Sequence, residues 1–459
     1  MTFREIIAIA ALTFVQCAPP DGAPAKTGAP SDNSVWAVDP KEPGPNEPPV
    51  GHSVFDELVS TVVNGERVYD VPFPFQVLTA RIANHVNSER DIHLQQVLIP
   101  IGRSLQRTNN RPNYFGSPRI VVAVDGEAPT SAESNLFLKD RLFLGYQAKA
   151  GIIEVISYNE QAGRFEFQIV SDYEEGSEPS VTPADRATCI GCHHGLTPIF
   201  PRALWSETNA NEDVRELLAQ HATEFFGIPV RQGVDVPQLI DQAIDRSALF
   251  AAHQLIWSQG CEDSTCRADA LFAMLTYRLR GYRHGAGAEQ ARFVAALRSA
   301  WPRRWPGGLK IPSPDIPDRD IIGNLKRASA RAGQPDLINK AGSPEFASFL
   351  DGTFTEAGFS PTTPRDPLDV WQVDDVNIEF AQQVTAGLAG FFSQQDIRRI
   401  RESLPEPEGR GSTVDDFPRL RAAIDKMVRS GSDGLSDKPL RPGIVIPELI
   451  GRLADRAGD

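Results

Sequence analysis

Sulfur is scarce in this chain, with five cysteines and three methionines in 459 residues. So few cysteines argue against a disulfide-built scaffold and leave the fold to an ordinary hydrophobic core. Clusters of Lys and Arg are lacking, and the formal charge is −14. That balance argues against nucleic acid and against electrostatic docking to anionic lipid. Beyond the N-terminus no segment is apolar enough to cross a membrane. No internal repeat, nucleophile triad, phosphate loop or paired-carboxylate site stands out from the 60 acidic residues. Present instead are an ordinary hydrophobic content of 41% and enough length for two or three domains with full cores.

The cysteines are placed with more meaning than their number suggests. Cys189-Ile190-Gly191-Cys192-His193 reads C-x-x-C-H, the attachment motif for c-type haem. Two thiols three positions apart reach the two vinyl groups of one porphyrin as thioethers. The histidine that follows is carried under the iron as its proximal ligand. At this chain's Cys and His frequencies, chance produces such a motif in about one sequence in a thousand. Other readings of the pair are a thioredoxin-like dithiol, a plain disulfide, or half of a zinc site completed by Cys261 and Cys266. A dithiol motif needs a strand before it and a helix starting at it, whereas Pro183 precedes the pair and Gly195, Pro198 and Pro201 follow. Haem is the favoured reading, and His194 is read as a solvent or hydrogen-bonding neighbour.

Cys17 follows the apolar run Ile6–Val15, which is too short to span a bilayer and has the length of a signal-peptide core, with Arg4 ahead of it. The segment 1–17 resembles a bacterial lipoprotein signal, which implies lipidation of Cys17. Gln16 and Phe14 depart from the usual pattern. Residues 18–50, rich in Pro, Gly, Ala, Asn and Asp, read as a flexible tether. Export implies an oxidising compartment, so Cys261 and Cys266 are expected to form a disulfide across Glu262-Asp263-Ser264-Thr265. One cysteine for lipid, two for haem and two for a disulfide account for all five.

The fold class expected is α+β, a β-rich domain at 51–180, a mostly helical c-type haem domain at 181–300 and a helical region at 301–459 packed on it. Strands are predicted over 119–124, 141–146, 152–158 and 164–170; the last alternates polar and apolar residues, with a five-residue hairpin loop Asn159–Gly163 before it. Beyond the motif, helices are predicted from Asn209 or Asn211 to about Phe226, from near Val236 to Ser258, and from Ser264 to Gly281. The prolines at 302, 306, 312, 314 and 317 then break the periodicity. Further helices are predicted at 320–332, 374–389, from Ser393, at 415–429 and at 446–457.

The distal side of the iron separates an electron carrier from a small-molecule site. Met274 and His253 are the leading candidates for it, followed by His221, with an open site as the alternative and Met427 behind them. Each also reads as core filler or a half-buried histidine. Just past the motif, Phe200, Leu204 and Trp205 are placed to wall a porphyrin and Arg202 to pair with a propionate; core packing explains the aromatics equally well.

Through residues 189–193 the chain resembles c-type cytochromes. The resemblance implies one covalent haem c, attached at Cys189 and Cys192 with His193 as the proximal ligand. It also implies electron transfer to a redox partner protein, in the periplasm or at the outer membrane through a lipid anchor. Small cytochromes c place their distal methionine in a loop near a proline, a setting that neither Met274 nor Met427 has. An electron-transfer protein is expected over an enzyme. The alternatives are a haem-based redox or gas sensor that uses the upstream β-domain, a peroxidase-like enzyme with an open site, and, last, a structural zinc protein. The single C-x-x-C-H counts against the dihaem peroxidases, which carry two.

Overall fold

The computed structural model describes residues 51–86, 94–102, 110–126, 136–184, 189, 192–193, 197–200, 207–285, 288–315, 320–356, 366–404, 417–436 and 438–454. The expected signal segment 1–17 with Cys17, and the tether at 18–50, lie outside these residues. The fold is mixed α+β.

Its centre is a six-stranded antiparallel meander in sequence order. The strands are β3 (Leu94–Ile99), β4 (Arg119–Val124), β5 (Leu142–Gln147), β6 (Ile152–Asn159), β7 (Arg164–Ser171) and β8 (Ser180–Pro183). All six residues of β5 are buried, so its apolar run does not alternate. Antiparallel sheets often leave one face to water, but this one packs other elements on both. The hairpin between β6 and β7 stands where it is expected, with a loop one residue shorter because Asn159 pairs with Arg164: Gly163 takes a positive φ of 67°, its N–H donates to the Asn159 carbonyl at 2.8 Å, and Asn159 Oδ1 accepts from Ala162 N.

One sheet face, carrying Leu98, Ile120, Leu144, Val155 and Val170, shares a core with the elements before and after it. Among these are α1 (Val54–Leu58) and α2 (Phe75–Ala83), joined by a hairpin of β1 (Ser60–Val63) and β2 (Glu66–Tyr69). These two helices stand where the sequence reads as mostly strand. The Ser53/Asp56 capping box starts the first, and Phe75, Leu78 and Ile82 give the second its buried stripe. On the same side lie α3 (Glu212–Ala219), a two-residue hairpin of β9 (Glu224–Phe225) and β10 (Ile228–Pro229), and Leu325 and Phe346 from later helices. The helix expected to run to Phe226 stops at Ala219. Phe226 and Gly227, with φ of 53° and 78°, form the positive-φ turn that such a hairpin requires.

The other face, with Val97, Ala123, Phe143, Tyr158 and Phe165, packs against α4 (Asp235–Leu255) and the helices around it. These are α5 (Ser264–Leu279), α6 (Ala288–Arg304), α9 (Ile378–Ala389), α10 (Gln394–Ser403), α11 (Pro418–Arg429) and α12 (Pro442–Ala454), whereas α7 (Ile321–Arg331) and α8 (Pro344–Glu356) belong to the core of the first face. A short antiparallel pair, β11 (Leu309–Ile311) with β12 (Asp369–Trp371), closes one side. Helix α6 runs through Pro302, where the prolines read as a break. The ring sits in the last turn, where the helix ends two residues later.

Polar ties fix sheet to helices. Arg246 of α4 binds Asp140 through Nε and Nη2 at 2.6 and 2.7 Å and Asp125 at 2.6 Å. Burial pushes the Asp140 carboxyl up, and Arg246 opposes that push. Arg278 donates to the Ala389 and Phe392 carbonyls, and Arg141 to those of Gly390 and Phe391. The two guanidiniums thereby satisfy carbonyls at the end of α9.

Candidate functional site

The C-x-x-C-H motif stands at the far edge of the sheet. Strand β8 pairs with β7, and Ala184 N still donates to Phe167 O at 2.8 Å, so the chain leaves the edge just before the motif. Cys189 and Cys192 are helical, and His193 N donates to Cys189 O at 2.8 Å. Cys189, Cys192 and His193 are therefore placed as on one helical turn. Residues three and four apart on a turn share a face, which puts both thiols and the imidazole on one side. Both cysteines are half-buried and neither is in a disulfide.

Two contacts orient His193. Its Nδ1 lies 2.8 Å from the carbonyl of Thr197, a residue that is itself buried. A carbonyl only accepts, so Nδ1 carries the proton and Nε2 keeps its lone pair. Metal-binding histidines are held in this way by a backbone carbonyl on the nitrogen away from the metal. The ring also rests on Phe167 of β7, with centroids 5.1 Å apart at 57°. Neither partner was singled out from sequence. Thr197 had a signal in its closeness to the motif, while Phe167 becomes a neighbour only through the sheet.

These residues fit a covalently bound haem. Two thiols and an imidazole share one face of a turn, and the imidazole is locked in the tautomer that coordinates through Nε2. The zinc alternative loses half its ligand set, because Cys261 and Cys266 are joined as a disulfide with Cα atoms 5.3 Å apart. A thioredoxin-like reading would place the pair after a strand of a parallel βαβ unit, and the sheet here is antiparallel throughout.

The distal candidates are scattered. His221 lies exposed beyond the end of α3, whose Val214, Leu217 and Leu218 belong to the core on the opposite sheet face from Phe167. Met274 of α5 and Met427 of α11 are fully buried in the helical core. His253 of α4 is buried as well, its ring 5.9 Å from that of Trp371. The fit against α9 is so close that a Cβ on Gly387 would stand 2.0 Å from His253 Cε1. Burial pushes its pKa down to about 4, so the ring is neutral. Phe200 is buried in the same core, its N–H bonded to Pro314 O at 3.2 Å. Arg202, Leu204, Trp205 and His194 lie outside the described residues.

No helix among the described residues is long and apolar enough to cross a membrane. Compared with models of known protein families, with curated proteins and with solved structures, the chain finds no match.

Proposed function

We propose that this chain is an exported single-haem c-type cytochrome that transfers electrons. Cys189 and Cys192 form the thioethers and His193 is the proximal ligand. The observation that carries the reading is the orientation of His193, whose Nδ1 is held by the Thr197 carbonyl on the same turn as both thiols. A bound haem supplies a one-electron couple at a single iron. The chain's own part is to fix the imidazole and its tautomer, to hold both sulfurs on the face of one turn, and to set Phe167 against the ring. A chain with a formal charge of −14 suits a redox partner with a basic surface. Lipidation of Cys17 would keep it at a membrane.

The test is expression with a cytochrome c maturation system, followed by mass measurement and oxidised and reduced spectra. One covalent haem with a sharp reduced α-band is expected, lost when Cys189 and Cys192 are both changed to Ser. An unmodified mass from wild-type protein would sink the reading. Exposure of the reduced protein to carbon monoxide then separates functions. No response is expected of a carrier with a filled distal site, and a shift in the spectrum would favour the sensor or enzyme alternatives.

A further inference from the structure

The sheet face under His193 is covered unevenly, and the strand register shows where. Paired residues of an antiparallel sheet point to the same side. Ala123, Phe143, Ile156 and Phe167 therefore form one row across β4 to β7, and Val121, Gly145, Glu154 and Ile169 form the next. Ala123 and Phe143 of the first row lie under α4 and its neighbours. Val121 and Ile156 pack on the margin of that core and stay half-buried, and Glu154 and Ile169 are half-buried as well. On the opposite face Val122, Leu144, Val155 and Val170 are buried to 2% exposure or less. The result is a shallow, mostly apolar shelf that begins next to the ring on which His193 rests.

One cation lies on this shelf. Arg119 of β4 reaches across Gly145 to an ion pair with Glu154. Gly145 makes room for it, since a Cβ there would stand 2.2 Å from Arg119 Nη2 and 2.9 Å from Cζ. Arg119 Nε is buried and finds no hydrogen-bond partner among the described residues. An unmade bond to a buried donor is unfavourable, and a guanidinium that already bonds Glu154 through Nη2 keeps its remaining donors in a fixed planar fork for a second carboxylate. Gly145 lies two strands across and two residues along from Phe167, about 12 Å by the spacings of a sheet. A porphyrin with its propionate arms covers such a span.

We propose that this shelf seats the haem, with Arg119 as the cation that takes a propionate. Val121, Ile156 and Ile169 supply the apolar floor, and Glu154 holds the guanidinium flat until the carboxylate arrives. The inference rests on the haem reading above, and it places the cofactor against the β-sheet as well as on the helical turn that binds it.

The experiment uses the haem-loaded protein, compared with Arg119→Gln, Arg119→Lys and Glu154→Gln. Resonance Raman spectra report the propionate bending band, and a redox titration reports the midpoint potential. A cation beside the haem favours the reduced, less positive state. Arg119→Gln is therefore expected to shift the propionate band and lower the potential. Arg119→Lys restores most of the potential but not the band, because it keeps the charge and loses the fork. Glu154→Gln, which leaves Arg119 in place, is expected to raise the potential, and it keeps the test open if Arg119→Gln fails to fold. Covalent haem with the band and potential unchanged in the variants would overturn the shelf and leave the cytochrome reading standing. A wild-type protein that attaches no haem would overturn both.

Discussion

His253 makes the stability of this protein depend on pH in a direction that can be worked out. The ring is buried between α4 and α9, and burial lowers its pKa from 6.5 to about 4. The unfolded chain, whose histidines titrate near 6.5, therefore binds a proton that the folded protein refuses. Its contribution to stability is complete above the unfolded value and is lost as pH falls towards about 4, where it levels off. The separation corresponds to about 3 kcal/mol, with a slope of up to about 1.4 kcal/mol per pH unit between the two values. His253→Gln removes the titration while keeping a polar side chain of similar size. His85 and His284, whose pKa values burial also lowers, are common to both proteins and cancel in the difference. Urea unfolding followed by tryptophan fluorescence, repeated from neutral pH down to about 4, gives the two stability curves. The wild type is expected to lose its margin over the variant, or fall further below it, as the solution is acidified. Parallel curves would refute the reasoning. In haem-loaded protein the same pair reports on ligation, since a histidine bound to iron cannot take up that proton.

Two further predictions concern what holds the helical layer together. Asp269 of α5 is 1% exposed and is gripped by Arg292 of α6 through two bonds of 2.8 Å and by Arg421 of α11 at 2.5 Å. Asp269→Asn removes the buried charge that both guanidiniums share, while Arg421 keeps Asp425 at 2.9 Å, and is expected to cost about 2 kcal/mol. Arg292→Ala, whose side chain is half exposed, is expected to cost under about 1 kcal/mol. Equal urea midpoints for the two variants would show that burial does not rank these charges. The disulfide between Cys261 and Cys266 closes a very short loop, so replacing both by Ser is expected to cost about 2 kcal/mol from the chain-entropy term. That loss is read as a lower unfolding midpoint, with the haem spectrum unchanged.

What could be read from the sequence was what depends on neighbours along the chain. The strands at 119–124, 152–159 and 164–171 show as apolar runs or alternation, and the Asn159–Gly163 turn by its residues. Asn211, Asp263, Asn377 and Ser393 all cap helices through side-chain bonds, which is local chemistry that their positions advertise. The motif is legible for the same reason, because one porphyrin fixes the spacing of its attachments. Helix α6 is hidden by Pro302, which it carries two residues before its end although the ring removes a backbone donor there. Arg119 could not be found from the chain alone. It faces Glu154 across Gly145, 35 residues away in sequence, and only the register of four strands shows that these side chains share a face with Phe167.

That register matters more to a haem site than to the core around it. The chain passes from β8 into the motif within a few residues, so the position of the thiols is inherited from the sheet edge. A slip of one residue between β6 and β7 would turn Phe167 to the far face, and one between β4 and β5 would do the same to Arg119. The hydrophobic cores on the two sides could absorb part of such a change, because both faces are covered. Several bonds oppose it. Tyr158 accepts from Gln254 of α4 at 2.7 Å, Ser53 Oγ donates to Gln168 at 2.8 Å, Gln168 Nε2 donates to Asp56 at 2.7 Å, and Phe55 N donates to Ser157 at 2.9 Å. Each ties β6 or β7 to a helix or its cap on one side of the sheet, and together they hold those strands from both faces. A sheet with elements packed on both faces exposes little apolar surface when its register slips, so polar bonds of fixed length help this one keep Phe167 under His193.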